Sequence, residues 1–230
     1  MQPKRNFDGL ARVYRLLEIM AFGPFLQKAR VCYLQELKEA REVLLVGEGN
    51  GLFLKALLSM NSKSRVKCVD ASNGMLQVAS KRIAEEDRRR VFFEQRDLTK
   101  ESLSRGQYDA IVTHFFLDCF CHDTLQDMIP CLTAALRPQG KWLLADFEEP
   151  SKEGIFNIPQ KMGLRMLYSF FKASCGIEAS KLSNPKELLR DHDIIETKRL
   201  CYLNGWITSA VYEKMSAATQ PKADVAIFSE

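Results

Sequence analysis

A doubly wound α/β fold, a mostly parallel sheet covered by helices on both faces, is predicted by three observations. Between Glu42 and Phe147, short β-rich runs alternate with helical ones, the pattern of strands joined by helical crossovers. The apolar run Val43–Val46 breaks into Gly47-Glu48-Gly49-Asn50-Gly51 and restarts as the apolar Leu52-Phe53-Leu54-Lys55-Ala56-Leu57-Leu58, which reads as strand, tight turn and helix. A second run, Arg65–Val69, ends on Asp70, roughly twenty residues past the glycines, where an acid at a strand tip meets a ribose.

The strands expected are Val43–Val46, Val66–Val69, Val91–Gln95, Ala110–Thr113 and Lys141–Asp146. Their aliphatic and β-branched runs suit parallel strands buried on both faces. Helices are expected to open near Gly51, Ser72, Thr99 and Asp123, with Ser72 as an N-cap. Arg88-Arg89-Arg90, after Glu85-Glu86-Asp87, reads as the basic close of the second helix, where cations complement the dipole. Pro138 and Gly140 punctuate the crossover before the fifth strand. Farther on, Lys186–Asp191 reads as a helix. The runs Ile194–Tyr202 and Trp206–Tyr212, joined at Asn204-Gly205, read as an antiparallel hairpin. The hairpin completes a seven-stranded sheet.

The 230 residues, 46% hydrophobic and 27% charged, suit one globular core with small additions. The expected divisions are an N-terminal helical cap (1–41), a cofactor-binding core (42–150), a helical insertion or lid (151–183), a C-terminal helix and hairpin (184–216) and a tail (217–230). No run has the length of a membrane span and the start lacks a signal-peptide core, so a cytoplasmic location without integral membrane association is expected. A net charge of +4 with no basic stripe of stacking aromatics gives no reason to expect a nucleic-acid partner. Seven cysteines, mostly within apolar runs, argue against a disulfide framework. Cys119-Phe120-Cys121-His122 lacks the two-to-four-residue gaps of zinc pairs, so no metal site is expected.

Two chemistries follow from the residues. A glycine turn lets backbone approach a bound nucleoside, and the following helix directs its N–H groups at the same space. Asp70 is placed to accept from both ribose hydroxyls. His114 ends the fourth strand, with Asp118 and His122 just after it and Asp146 at the end of the fifth. These are the candidate general bases, each with a structural alternative: a packed neutral imidazole for His114, a helix-start or solvated role for Asp118 and His122.

With these residues in place, the chain resembles the class I S-adenosylmethionine-dependent methyltransferases, with their Rossmann-like fold, and is similar to the small-molecule and quinone-type members. Gly47-Glu48-Gly49-Asn50-Gly51 is similar to the family's loop beside the methionine end of S-adenosyl-L-methionine. The resemblance implies that Asp70 holds the ribose, that Ala71 and Met75 touch adenine and sugar, and that Asp97 and Leu98 hold the adenine edge. It also implies that His114 lies near the reactive methyl. Leu136-Arg137-Pro138-Gln139-Gly140-Lys141 is similar to the turn before the family's fifth strand, and Phe7–Tyr14 to the opening of small-molecule members, which makes Tyr14 a third catalytic candidate beside His114 and Asp118.

Two positions depart from the pattern: Leu45 stands where many members have an acid, with Glu48 or Asn50 as substitutes, and Arg15 stands where the opening motif has Asp. The implied reaction is in-line displacement at the sulfonium methyl, in which the protein mainly aligns the reactants. The chain has Thr113-His114-Phe115-Phe116 rather than an Asn-Pro-Pro-type ending, which points to a small acceptor; the apolar block 155–173 suits a hydrophobic one. Two rivals stay open. One is a non-catalytic cofactor-binding protein of the same fold, suggested by Leu45. The other is a NAD-dependent oxidoreductase, whose last glycine would fall at Leu52.

Overall fold

The computed structural model describes residues 24–148 and 185–216. Tyr14, the opening motif and the 155–173 block lie outside them. Within them, helix α1 (Pro24–Val31) precedes β1 (Glu42–Val46), α2 (Leu52–Met60), β2 (Arg65–Asp70), α3 (Asn73–Ser80), β3 (Val91–Gln95) and β4 (Tyr108–His114). Then follow α4 (His122–Ala135), β5 (Leu136–Phe147), α5 (Lys186–Asp191), β6 (Ile194–Tyr202) and β7 (Ile207–Lys214). They form one seven-stranded sheet in the order β3-β2-β1-β4-β5-β7-β6. β1 to β5 run parallel and β7 pairs antiparallel with both β5 and β6. The order reverses between β1 and β4, and in such sheets ligands bind in the crevice outside the strand ends at that switch point.

Both faces of the central strands are buried, which is why their sequence is apolar rather than alternating. Leu44, Val46, Ile111 and Trp142 pack under Leu125, Ile129 and Leu132 of α4. Val43, Leu45, Ala110, Val112 and Leu143 pack on the other face under Phe53, Leu54 and Leu57 of α2. Trp142, wholly buried, donates its indole N–H to Thr113 Oγ1 at 2.9 Å. That bond satisfies the one polar atom of the ring and ties β5 to β4.

Three local expectations are corrected. No helix opens at Thr99. Asp97 draws the chain into a single turn, accepting from the Thr99 amide at 3.1 Å and hydroxyl at 2.6 Å, and the serine-rich stretch after it has no apolar stripe to bury. Arg88–Arg90 do not close α3, which ends at Ser80; they finish a separate 3-10 turn, Glu85–Arg90. There Arg90 donates to Asp87 at 2.6 Å and to the carbonyls of Leu58 and Asn61 at 2.7 Å each, so it serves as a buttress. β5 begins at Leu136, before the expected crossover punctuation. Tyr108 pairs with Leu136 and Ala110 with Lys141, so Pro138 and Gly140 sit in a bulge of the strand, a position where a missing ladder donor is tolerated. The antiparallel hairpin forms as expected, its connection running from Leu203 to Trp206 with a left-handed Leu203 at φ 49°.

Candidate active site

The glycine loop joins β1 to α2 at the switch point. Gly51 has φ 78°, and a Cβ there would lie 2.7 Å from the Ala79 Cα, so the start of α2 is pressed against the end of α3 where only glycine fits. Gly51→Ala is expected to lower stability by about 3 kcal/mol, from a left-handed alanine plus displaced backbone. Urea unfolding measures this; unchanged stability would show that the contact yields freely. A Cβ on Gly47 would collide with the Phe116 ring, so the loop and the segment after β4 meet closely.

The α2 terminus is occupied from within the loop. Glu48 Oε1 accepts from the Phe53 amide at 3.0 Å and the Leu54 amide at 3.1 Å, and Asn50 Oδ1 accepts from the Leu52 amide at 3.1 Å. Both side chains therefore cap the helix, satisfying N–H groups that would otherwise have no partner. Burial pushes the Glu48 carboxyl up to about 7, against the helix amides and Arg30, which favour its charge; Asp70 adds to the rise. Leu45 is 1% exposed in the core between α2 and the sheet and offers the crevice nothing.

At the end of β2, Asp70 Oδ1 accepts from the Ser72 amide at 2.9 Å. Ser72 in turn accepts from the Met75 amide at 3.2 Å, the expected N-cap of α3. Ala71 is exposed and Met75 half-buried beside it. Asp97, after β3, is held by Thr99 and by Lys100 at 3.0 Å. Those bonds outweigh desolvation and hold its carboxyl below the usual range. Leu98 is half-buried against the core.

His114, 6% exposed, ends β4 with its ring edge on Phe53, centroids 4.6 Å apart. Burial, helped by Arg30, holds its pKa down at about 3, and among the described residues its Nδ1 has no hydrogen-bond partner. Phe115 then adopts φ 53°, a left-handed conformation unusual for a bulky residue. It is held by its amide donating to Ala145 O at 2.5 Å and by the Arg30 guanidinium, 4.9 Å from the ring centroid. The turn aims the next amides at β5: Asp146 Oδ1 accepts from Phe116 N at 3.1 Å. Asp118, in the following 3-10 turn, and Asp146 are both buried. Desolvation pushes Asp118 up to about 6, while desolvation and the Asp118 charge push Asp146 well above the carboxylate range. His122, by contrast, is exposed at the start of α4.

The fold thus gathers Glu48, Asp70, His114, Asp118 and Asp146 along the carboxyl ends of β1, β2, β4 and β5, and leaves His122 outside. Arg30 and Phe53 were not singled out by sequence: an arginine in an amphipathic helix carries no signal of what it faces. The capping role of Glu48 was legible as an acid just ahead of a helix start. Among the described residues no group of His, Cys, Asp or Glu is arranged to hold a metal ion.

Residues 43–140, from β1 to the β5 bulge, match the family model described as a methyltransferase domain. The chain is 29% identical over 126 residues to malonyl-[acyl-carrier protein] O-methyltransferase of Priestia megaterium. The match covers 53% of this chain and 44% of that protein, so the chain spans under half the length of the curated relative. In fold, the chain is similar to 1,6-didemethyltoxoflavin-N1-methyltransferase of Burkholderia thailandensis, solved with bound 1,6-didemethyltoxoflavin and S-adenosylhomocysteine. The TM-score is 0.60 at 16% identity, over 94% of this chain and 93% of that one. An O-methyltransferase family protein from the same organism gives a TM-score of 0.67 at 15% identity, over 90% of this chain and 60% of that one. Among the described residues no helix is long and apolar enough to cross a membrane.

Proposed function

We propose that the chain transfers the methyl group of S-adenosyl-L-methionine to a small, apolar acceptor. The observation that carries this reading is the charge of the glycine-loop crevice. A dinucleotide places its pyrophosphate on the amides at the helix start. Here the Leu52, Phe53 and Leu54 amides are already taken by Asn50 and Glu48, and a phosphate would meet the Glu48 and Asp70 carboxylates. A sulfonium cofactor, which carries positive charge at its centre, suits the same crevice. This argues against the NAD-dependent reading.

In the proposed reaction the acceptor's lone pair forms the new bond to carbon, the S–CH3 bond breaks, and its electron pair returns to sulfur as a neutral thioether. Asp70 grips the ribose, Ala71 and Met75 flank the base, and Asp97 and Leu98 bound its far side. His114 is a hydrogen-bonding wall beside the methyl: an imidazole whose conjugate acid sits at about 3 is too weak a base near neutral pH. A proton lost by an acidic acceptor goes instead to Asp118, whose pKa of about 6 is close to working conditions. Aromatic pairs at the strand ends, Phe115–Phe147 with centroids 5.2 Å apart and Phe116–Phe120 at 5.0 Å, support an apolar acceptor.

The test is calorimetry followed by turnover. S-adenosylhomocysteine is expected to bind and NAD not to. Methyl-labelled cofactor is then offered with a panel of phenols, amines and carboxylic acids. Binding with no transfer to any class would favour the non-catalytic reading, and binding of NAD alone would overturn both.

A further inference from the structure

We infer that Arg30 of α1 is a positioning residue: by stacking on Phe115 it holds the turn after β4 in the shape that seats Phe116 on the glycine loop and His114 on α2. The consequence for ligand binding rests on the methyltransferase reading above; the clamp itself does not. Phe115 is the strained link. At φ 53° it occupies the left-handed region, which a bulky residue leaves unless its surroundings hold it. Its backbone is tied to β5 by the bond from its amide to Ala145 O. Its ring, 8% exposed, is shared between Phe147, centroids 5.2 Å apart, and the half-buried Arg30, whose guanidinium lies 4.9 Å from the centroid. Leu26 and Ala29 of the same helix close the apolar contact around the ring together with Ala145 and Ile207. α1 therefore grips Phe115 with a packed face and a cation, and a guanidinium stacks on an aromatic face better than an ammonium does.

The residues on either side of Phe115 carry the grip into the crevice. His114, one before it, sets its ring edge on Phe53 with centroids 4.6 Å apart, and the Phe53 amide is capped by Glu48 of the glycine loop at 3.0 Å. Phe116, one after it, donates its amide to Asp146 at 3.1 Å and lays its ring so close to Gly47 that a Cβ there would overlap it. Gly47 in turn donates to Val69 O at 2.9 Å, next to Asp70. A backbone rotation at Phe115 thus displaces both neighbours at once, and with them the loop on which the proposed cofactor lies. The Arg30 charge also acts on Glu48 and on His114, so α1 faces both sides of the crevice.

The test compares Arg30→Gln, Arg30→Lys, Phe115→Leu and the Arg30→Gln/Phe115→Leu double variant in the full chain. Calorimetry measures affinity for S-adenosylhomocysteine and for 5′-methylthioadenosine, which keeps adenosine and sulfur but lacks the amino-acid end. Arg30→Gln is expected to weaken both ligands by the same factor, about fivefold, because the loop rather than the ligand has lost its support. Arg30→Lys, which keeps a cation over the ring, is expected to weaken them about twofold. Phe115→Leu removes the π face and weakens both as much as Arg30→Gln does, and the double variant is no worse than either single one. Urea unfolding reads the clamp without a ligand: Arg30→Gln raises the unfolding constant about fivefold in the wild-type chain and less than about twofold in the Phe115→Leu chain. Weakening confined to S-adenosylhomocysteine overturns the proposal, since Arg30 would then be meeting the amino-acid end directly. Unchanged affinities overturn it too, as do single-variant effects that multiply in the double variant. A wild type that binds neither ligand overturns the methyltransferase reading alone; the unfolding cycle then decides the clamp, and a cycle without coupling overturns it.

Discussion

Asp70→Ala is expected to raise the dissociation constant for S-adenosylhomocysteine by at least about 100-fold, because the proposed grip on the ribose would lose two charge-assisted hydrogen bonds, each contributing about 1.5–3 kcal/mol. The fold should survive. Asp70 is half-buried at a strand tip, so truncation opens no core cavity. Among its native bonds the chain loses the one from the Ser72 amide at 2.9 Å, about 1 kcal/mol. Asp70→Asn separates the two losses: its amide oxygen can keep the Ser72 bond, but it cannot accept from both hydroxyls as a carboxylate does. Calorimetry on the two variants, each checked for an unchanged melting transition within a few degrees, decides the matter. A constant within about threefold of wild type in both would remove Asp70 from the ribose site and with it the placement of the nucleoside.

The parallel strands were legible because burial on two faces demands unbroken apolar runs, as in Val43–Val46 and Ala110–Val112. Ser72 was legible because a cap is a local hydrogen bond. The region around Thr99 was misread since the side chain of Asp97 competes locally with a helix, and such competition has no periodicity to betray it. The start of β5 was misread because its bulge is defined by pairing with β4, a partner far away in sequence. The candidate site divides the same way. Its glycine loop and strand-tip acids follow from local sequence. Arg30 enters only because α1 packs against the ends of β5 and β7, where Leu26 and Ala29 meet Phe115, Ala145 and Ile207. His114 was visible as a histidine at a strand end, but its weak basicity comes from burial against Phe53, which the sequence places on another element.

The facing acids Asp118 and Asp146 give the second large effect, expressed through pH. A carboxyl whose folded pKa lies above its unfolded value of about 3.9 binds its proton more tightly in the native state, so its contribution to stability falls as pH rises through the window between the two. For Asp118 that window runs from about 4 to about 6, and the higher Asp146 extends it upward. At alkaline pH the native chain must hold two buried negative charges together. Glu36, Glu94, Asp97, Asp109, Glu148 and Glu196 have lowered pKa values and push the other way, contributing stability above about 4 that is lost on acidification. Comparing wild type with Asp146→Asn cancels their effect. Asparagine preserves an acceptor for the Phe116 amide, now 3.1 Å from Oδ1, and replaces the like charge with an amide able to donate to Asp118. The variant is therefore expected to be more stable than wild type by about 3 kcal/mol at pH 8, with the difference vanishing near pH 4. Urea unfolding at the two pH values reads this directly. A gain in stability that is the same at both pH values would mean that the buried charge of Asp146 is not what weakens the native chain at high pH.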